Sequence, residues 1–130
     1  MLQKENRLVK VRDFNLLFKN GRWQNAENFS LKILELEKHK KDFPPKENPE
    51  EFAKQLRVAF VVSAKLSKSA VKRNRLKRQM REVVRLLIKN NKIKLGNYLL
   101  FVAQEGSIGL KYTEIEKQIM FLLKKSNCLL

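Results

Sequence analysis

Cysteine is almost missing from this chain. The only one, Cys128, stands near the end, so no internal disulfide can form. It reads as a tail residue without a role. Histidine is equally scarce: His39 lies in a charged stretch and reads as a solvated side chain. No His, Cys and acid cluster has the spacing of a metal site, so metal ligands are expected to be none. There are only four glycines, and they form no Gly-rich phosphate loop. No nucleophile stands with a base and an orienting group, so catalytic residues are likewise expected to be none. Long apolar runs are also lacking. Nothing approaches the ~20 residues of a membrane-spanning helix. The stretch "MLQKENRLVKVRDF" lacks the apolar core of a secretory signal, and a cytoplasmic location without membrane attachment is expected. All three prolines crowd into positions 44–49.

Acidic residues are the most informative shortage. The chain of 130 residues carries 13 Asp and Glu against 29 Lys and Arg, a formal net charge of +16. Its hydrophobic fraction of 43% is ordinary for one folded domain and too high for a disordered chain. Such an excess points to a polyanionic partner. The excess is also concentrated: Lys65 to Lys92 holds eleven cations and one acid, Glu82.

Residues 1–10 are polar and basic, and read as a flexible arm. In "VRDFNLLFKNGRW", Asp13 could cap a short helix whose Phe14, Leu17 and Phe18 share a face, with Gly21 as its stop. "NFSLKILELEK" alternates as a strand does, with Leu34 and Leu36 shifting its register. Residues 37–55 form a loop excursion with room for a further strand. The apolar run "LRVAFVVSA" (56–64) predicts a buried central strand. "NYLLFVAQE" (97–105) is another strand, and "GSIG" a turn. Thr113 and Glu116 suggest a capping box before a helix burying Ile115, Ile119, Leu122 and Leu123. The order is α-β-β-α-β-α, or α-β-β-β-α-β-α with the extra strand, an α/β (α+β) sandwich of two layers.

Between the last two of these strands lies "KLSKSAVKRNRLKRQMREVVR". On a helical wheel Leu76, Met80, Val83, Val84 and Leu87 form one apolar stripe. Arg78, Arg81, Arg85 and Asn74 fall opposite, with Arg75 and Lys77 on the flanks. A solvated amphipathic helix is the plain reading. Such helices interleave acids four residues away, however, and this one has only Glu82. Its cations are largely arginine, whose planar fork grips phosphate. Lys65, Lys68 and Lys72 lead into the helix start, where free N–H groups favour anions. Together these describe a phosphate clamp. A membrane-surface helix is disfavoured, because the apolar stripe is needed for the sheet. Charge does not separate RNA from DNA.

The segment "VVSAKLSKSAVKRNRLKRQMREVVR" resembles the signature of the protein subunit of bacterial ribonuclease P. That family carries a strand ending V-S-K-K, then G-x-A-V-x-R-N-R-x-K-R-x-x-R-E. "RLVKVRDFNLLFKNGRW" and "QLRVAFVVS" are similar to the family's other stretches. Ala64, Ser67, Ala59 and Gln104 depart from the lysine, glycine, glycine and arginine usual there.

The resemblance implies a fold similar to a ribosomal-protein domain, with a left-handed β-α-β crossover. It implies a ribonucleoprotein enzyme in which the RNA removes the 5′ leader of precursor tRNA with RNA-bound Mg²⁺. The protein alone is then inactive, and one monomer serves each catalytic RNA. Lys65, Lys68, Lys72, Arg73, Asn74, Arg75, Lys77, Arg78 and Arg81 are the RNA-binding residues it implies, although Asn74 could equally cap the helix. A cleft of Phe14, Phe18, Phe29 and Lys32 is implied for the leader; phenylalanines at helical spacing are more often core. A structural RNA-binding protein of ribosomal type and a DNA-binding helix are the alternatives.

Overall fold

The computed structural model describes residues 2–42 and 48–130. Helix α1 (Val11–Asn20) leads to strands β1 (Arg22–Asn25) and β2 (Phe29–Glu35). A 3-10 turn (Leu36–Asp42) and the short α2 (Pro49–Phe52) precede β3 (Leu56–Val61). The long α3 (Ala70–Lys89), β4 (Asn97–Ala103) and α4 (Tyr112–Lys125) complete the chain. The order α-β-β-β-α-β-α is the expected one once the short α2 is set aside. The additional strand is β1, directly after α1, and not part of the 37–55 excursion. Positions 43–47 of that excursion lie outside the described residues.

The sheet order is β1-β2-β4-β3. β1, β2 and β4 are antiparallel neighbours, while β3 runs parallel to β4 through the α3 crossover. β4 and β2 are therefore the central strands, and β3 is an edge. This corrects the expectation from the apolar 56–64 run. β3 buries Leu56, Val58 and Phe60 on one face, but Val61 on the other is 41% exposed. Its outer edge is covered by the first residues of the chain, which corrects the flexible arm. Leu8 N–H donates to the Val58 carbonyl (3.0 Å), and Asn6 Nδ2 to that of Leu56 (2.9 Å). Leu2 and Leu8 are both buried. A strand edge exposes unpaired N–H and C=O groups, and this segment satisfies part of that row.

Two cores lie on opposite faces. α3 and α4 cover Phe29, Leu31, Ile33, Val58, Phe60, Leu99 and Phe101. Here the wheel reading holds: Leu76, Met80, Val83 and Val84 are buried, as are Ile115, Ile119, Leu122 and Leu123. On the other face Leu17, Leu36 and Phe52 pack against Leu34, Tyr98 and Leu100. The Leu34 and Leu36 pattern is thus no register shift: β2 is central, and both of its faces are covered.

Local expectations at two helix starts need correction. Asp13 does not cap α1, which begins at Val11; it is buried in the first turn beside Arg12 (3.3 Å). Burial and the nearby Asp13 carboxylate push the Tyr98 hydroxyl well above the usual phenol range. Thr113 does not cap α4, which starts at Tyr112 after Lys111, because Leu110 and Tyr112 are drawn onto the first core. Gly21 does end α1, at negative φ; a Cβ there meets the Leu17 carbonyl at 2.5 Å.

Cys128 is no loose tail residue. It is 1% exposed, and its carbonyl accepts from Lys94 N–H (2.8 Å) while Ile93 and Leu129 form a bridge. Burial pushes its thiol up to about 11. Native protein at pH 8 is expected to resist iodoacetamide on the hour scale, and denatured protein to react within minutes. Equal labelling rates, read by mass spectrometry, count against this packing. Holding the thiol neutral also means that stability falls as pH rises from 9 towards 11, because the unfolded chain ionises first.

Candidate nucleic-acid interface

α3 is built as an anchored helix with one free face. Ser69 caps it, its Oγ accepting from Lys72 N–H (3.3 Å). That assigns the cap to Ser69 and corrects the capping role weighed for Asn74, which sits exposed on the fifth helical residue. The preceding loop is tied by its own serines. Ser63 Oγ accepts from Lys65 N–H (3.1 Å), and Ser67 Oγ from Ser69 N–H (3.2 Å). The departure at Ser67 therefore supplies a turn hydroxyl. Arg73 turns back onto this loop, donating to the Ser67 carbonyl (2.7 Å). It holds the lead-in to the helix in place.

The other cations point outward. Lys65, Lys68, Lys72, Arg75 and Arg78 are exposed, while Lys77 and Arg81 are half-buried. None has a salt-bridge partner among the described residues. The single acid is already used. Glu82 binds Arg85 in two places, at 2.6 and 2.9 Å. The guanidinium lowers the Glu82 pKa, and the carboxylate raises that of Arg85. The helix thus presents one uncompensated cationic surface, with Arg73 and Arg85 held by local bonds.

The second surface lies beside α1, over β1 and β2, where exposed rings cover the sheet. Phe14 and Phe18 stack one turn apart, with ring centroids at 6.2 Å and planes at 23°. Phe18 is 54% exposed. Lys32 comes up beneath it, but as a buried cation: Nζ donates to the Phe18 carbonyl (2.9 Å). The same Nζ lies 5.2 Å from the Phe18 ring and 5.4 Å from that of Trp23. Phe29 is not part of this surface. It is fully buried on the opposite face, against α3 and α4. Successive strand residues alternate faces, so Ser30 and Lys32 cannot share a side with Phe29.

Trp23 is the residue that sequence reading missed. It pairs with Lys32 across β1 and β2, and 48% of it is exposed. No local pattern marks it, because its neighbour is set by strand pairing. Ser30, bonded to Asn25 Oδ1 (2.7 Å) and to Gln104 Nε2 (3.2 Å), forms the polar end of the same strip. The two surfaces meet. Phe14, Lys77 and Arg81 line one groove of about 400 Å³ around the β3 edge.

Among the described residues no group of three or more His, Cys, Asp or Glu could hold a metal. No helix among them is long and apolar enough to cross a membrane.

A family model described as Ribonuclease P matches residues 2–127. The chain is 36% identical over 122 residues to the ribonuclease P protein component of Alkaliphilus oremlandii, covering 94% of this chain and 91% of the relative. The corresponding component of a Synechococcus strain is 31% identical over 129 residues, covering 99% of this chain and 87% of the relative. Among solved structures, the RNase P protein from Staphylococcus aureus superposes with a TM-score of 0.72 at 23% identity, covering 99% of this chain and 95% of the other. The RNase P protein from Thermotoga maritima gives 0.67 at 24% identity, with 92% and 96% covered. At such identity the structural likeness speaks for the fold.

Proposed function

The chain belongs to the ribonuclease P protein family, and from that membership we propose that it is the protein subunit of a bacterial ribonucleoprotein that removes the 5′ leader of precursor tRNA. The observation that carries this is the α3 face, whose exposed Lys and Arg have no acid partner among the described residues. Such a face is matched by a folded polyanion. The catalytic RNA docks on Lys65, Lys68, Lys72, Arg75, Lys77, Arg78 and Arg81, with Asn74 beside them. Arg73 positions the lead-in loop. One protein monomer serves one RNA, in the cytoplasm.

The leader lies over β1 and β2, against Phe14, Phe18 and Trp23. Exposed rings over a fixed cation hold single strands without strict sequence choice. Lys32 stiffens this platform from below. The RNA carries the hydrolysis, and the Mg²⁺ it needs is bound by the RNA. The protein's part is to bind and orient.

Reconstitution tests the reading. The protein with its own ribonuclease P RNA is expected to cleave precursor tRNA at lower Mg²⁺ than the RNA alone. Protein without RNA is expected to be inactive. Robust Mg²⁺-dependent cleavage by the RNA-free protein contradicts the assignment, as does co-purification with ribosomal RNA alone. Phe18→Ala is expected to weaken the complex's affinity for leader-bearing precursor by about 10-fold. Affinity for mature tRNA and the melting temperature should hold, since Phe18 is exposed. An equal loss for both RNAs removes Phe18 from the leader site.

A further inference from the structure

We propose that the groove between α3 and the 106–110 turn receives one unstacked base of the bound RNA. This rests on the RNA-binding reading above and gives it a specific subsite. The groove has a volume of about 320 Å³ and is lined by Lys72, Arg75, Leu76, Gln79, Ile108 and Leu110. That is near the lower limit for small-ligand pockets, of the order of one base.

Its lining is mixed in a particular way. Leu76 is 3% exposed, and Ile108 and Leu110 are half-buried against the first core. These are fixed apolar surfaces. A phosphate alone gains nothing from them, whereas the face of an unstacked base does. Gln79 lines the same groove, and its amide has no hydrogen-bond partner among the described residues. It offers a donor and an acceptor side by side, which matches the paired groups on a base edge. Lys72 and Arg75 line the groove beside it, suited to the phosphates on either side of that nucleotide.

The turn is preformed. Ser107 N–H donates to the Gln104 carbonyl (3.2 Å) and Leu110 N–H to that of Ser107 (3.4 Å). Gly106 and Gly109 take positive φ, +85° and +89°, which favours glycine. A Cβ placed on Gly109 meets nothing within 4 Å, so this side of the groove is open. Paired bases stay stacked within the helix, and A-form RNA offers side chains little edge to read. The occupant is therefore an unpaired nucleotide of a loop, bulge or junction.

Salt titrations of binding separate base from phosphate contact. The full-length protein is bound to its own organism's ribonuclease P RNA and, as a control, to a fully paired RNA hairpin. Gln79→Leu is expected to weaken binding to the ribonuclease P RNA about 10-fold without changing the salt slope. Hairpin affinity is expected to stay the same. Arg75→Ala is expected to lower the slope by about 1 on both RNAs. Gln79→Ala repeats the test with a smaller side chain, and thermal melts show whether each variant is folded. If both Gln79 variants bind as wild type while Arg75→Ala weakens binding, the base pocket is wrong and the RNA-binding face stands. If Arg75→Ala is also silent, the RNA-binding face itself is wrong.

Discussion

Replacing Arg75 and Arg78 together by alanine is expected to cost about 100-fold in affinity for the ribonuclease P RNA at ~0.1 M salt. The two lie one turn apart on α3, both exposed and without an acid partner among the described residues. Each released phosphate contact lowers the slope of log affinity against log salt by about 1, so the pair lowers it by about 2. Folding should not suffer. Removing crowded like charges relieves repulsion of tenths of a kcal/mol per pair. Lysine at both positions keeps the charge but loses the planar fork, and should fall between wild type and the alanine variant. Filter binding over a salt series checks this. An unchanged slope means that these arginines do not meet phosphates.

Leu17→Ala is expected to be the most damaging substitution near the proposed leader surface, and for a different reason. Leu17 is fully buried in the second core, against the sheet face that carries Leu34, Tyr98 and Leu100. Truncation of such a residue costs about 2–5 kcal/mol, part of it for the cavity left behind. For a domain of this size, the melting temperature should drop by about 10 °C. Leu17 also fixes how α1 lies on the sheet, and so where Phe14 and Phe18 stand. Leader affinity should fall further than with Phe18→Ala, while the salt slope for the RNA subunit holds in the folded fraction. The α3 face is built on the other core, and that separates the two effects. A melt shift below ~2 °C contradicts the packing of α1.

Much of the α3 site could be read directly from the chain. Charge, the apolar stripe and the spacing of the R-N-R element are all local to one helix. A helix fixes the relative direction of its side chains within a few residues. Leu76, Met80, Val83 and Val84 were therefore placed correctly. Local logic failed at Asp13, which is buried beside Arg12 inside α1 and does not cap the helix; nor does spacing show that Arg73 bonds the Ser67 carbonyl.

The proposed leader surface was only half legible. Phe14 and Phe18 follow from helical spacing. Lys32 and Trp23 become neighbours only because β1 pairs with β2 in one register. Phe29 leaves the site for the same kind of reason, since its face is set by what packs on the sheet. The apolar run of β3 suggested a centre strand, yet it lies at the edge, with the first residues of the chain along it.

By itself, then, the sequence determined the three longer helices, the buried stripes of α3 and α4, the polyanionic partner and the family likeness. Each is written in residues a few positions apart. The tertiary structure alone decided the order of the strands, the burial of Lys32 under two rings, the place of Trp23 and the packing of Cys128. Those depend on contacts between residues far apart in the chain, and no local periodicity encodes them.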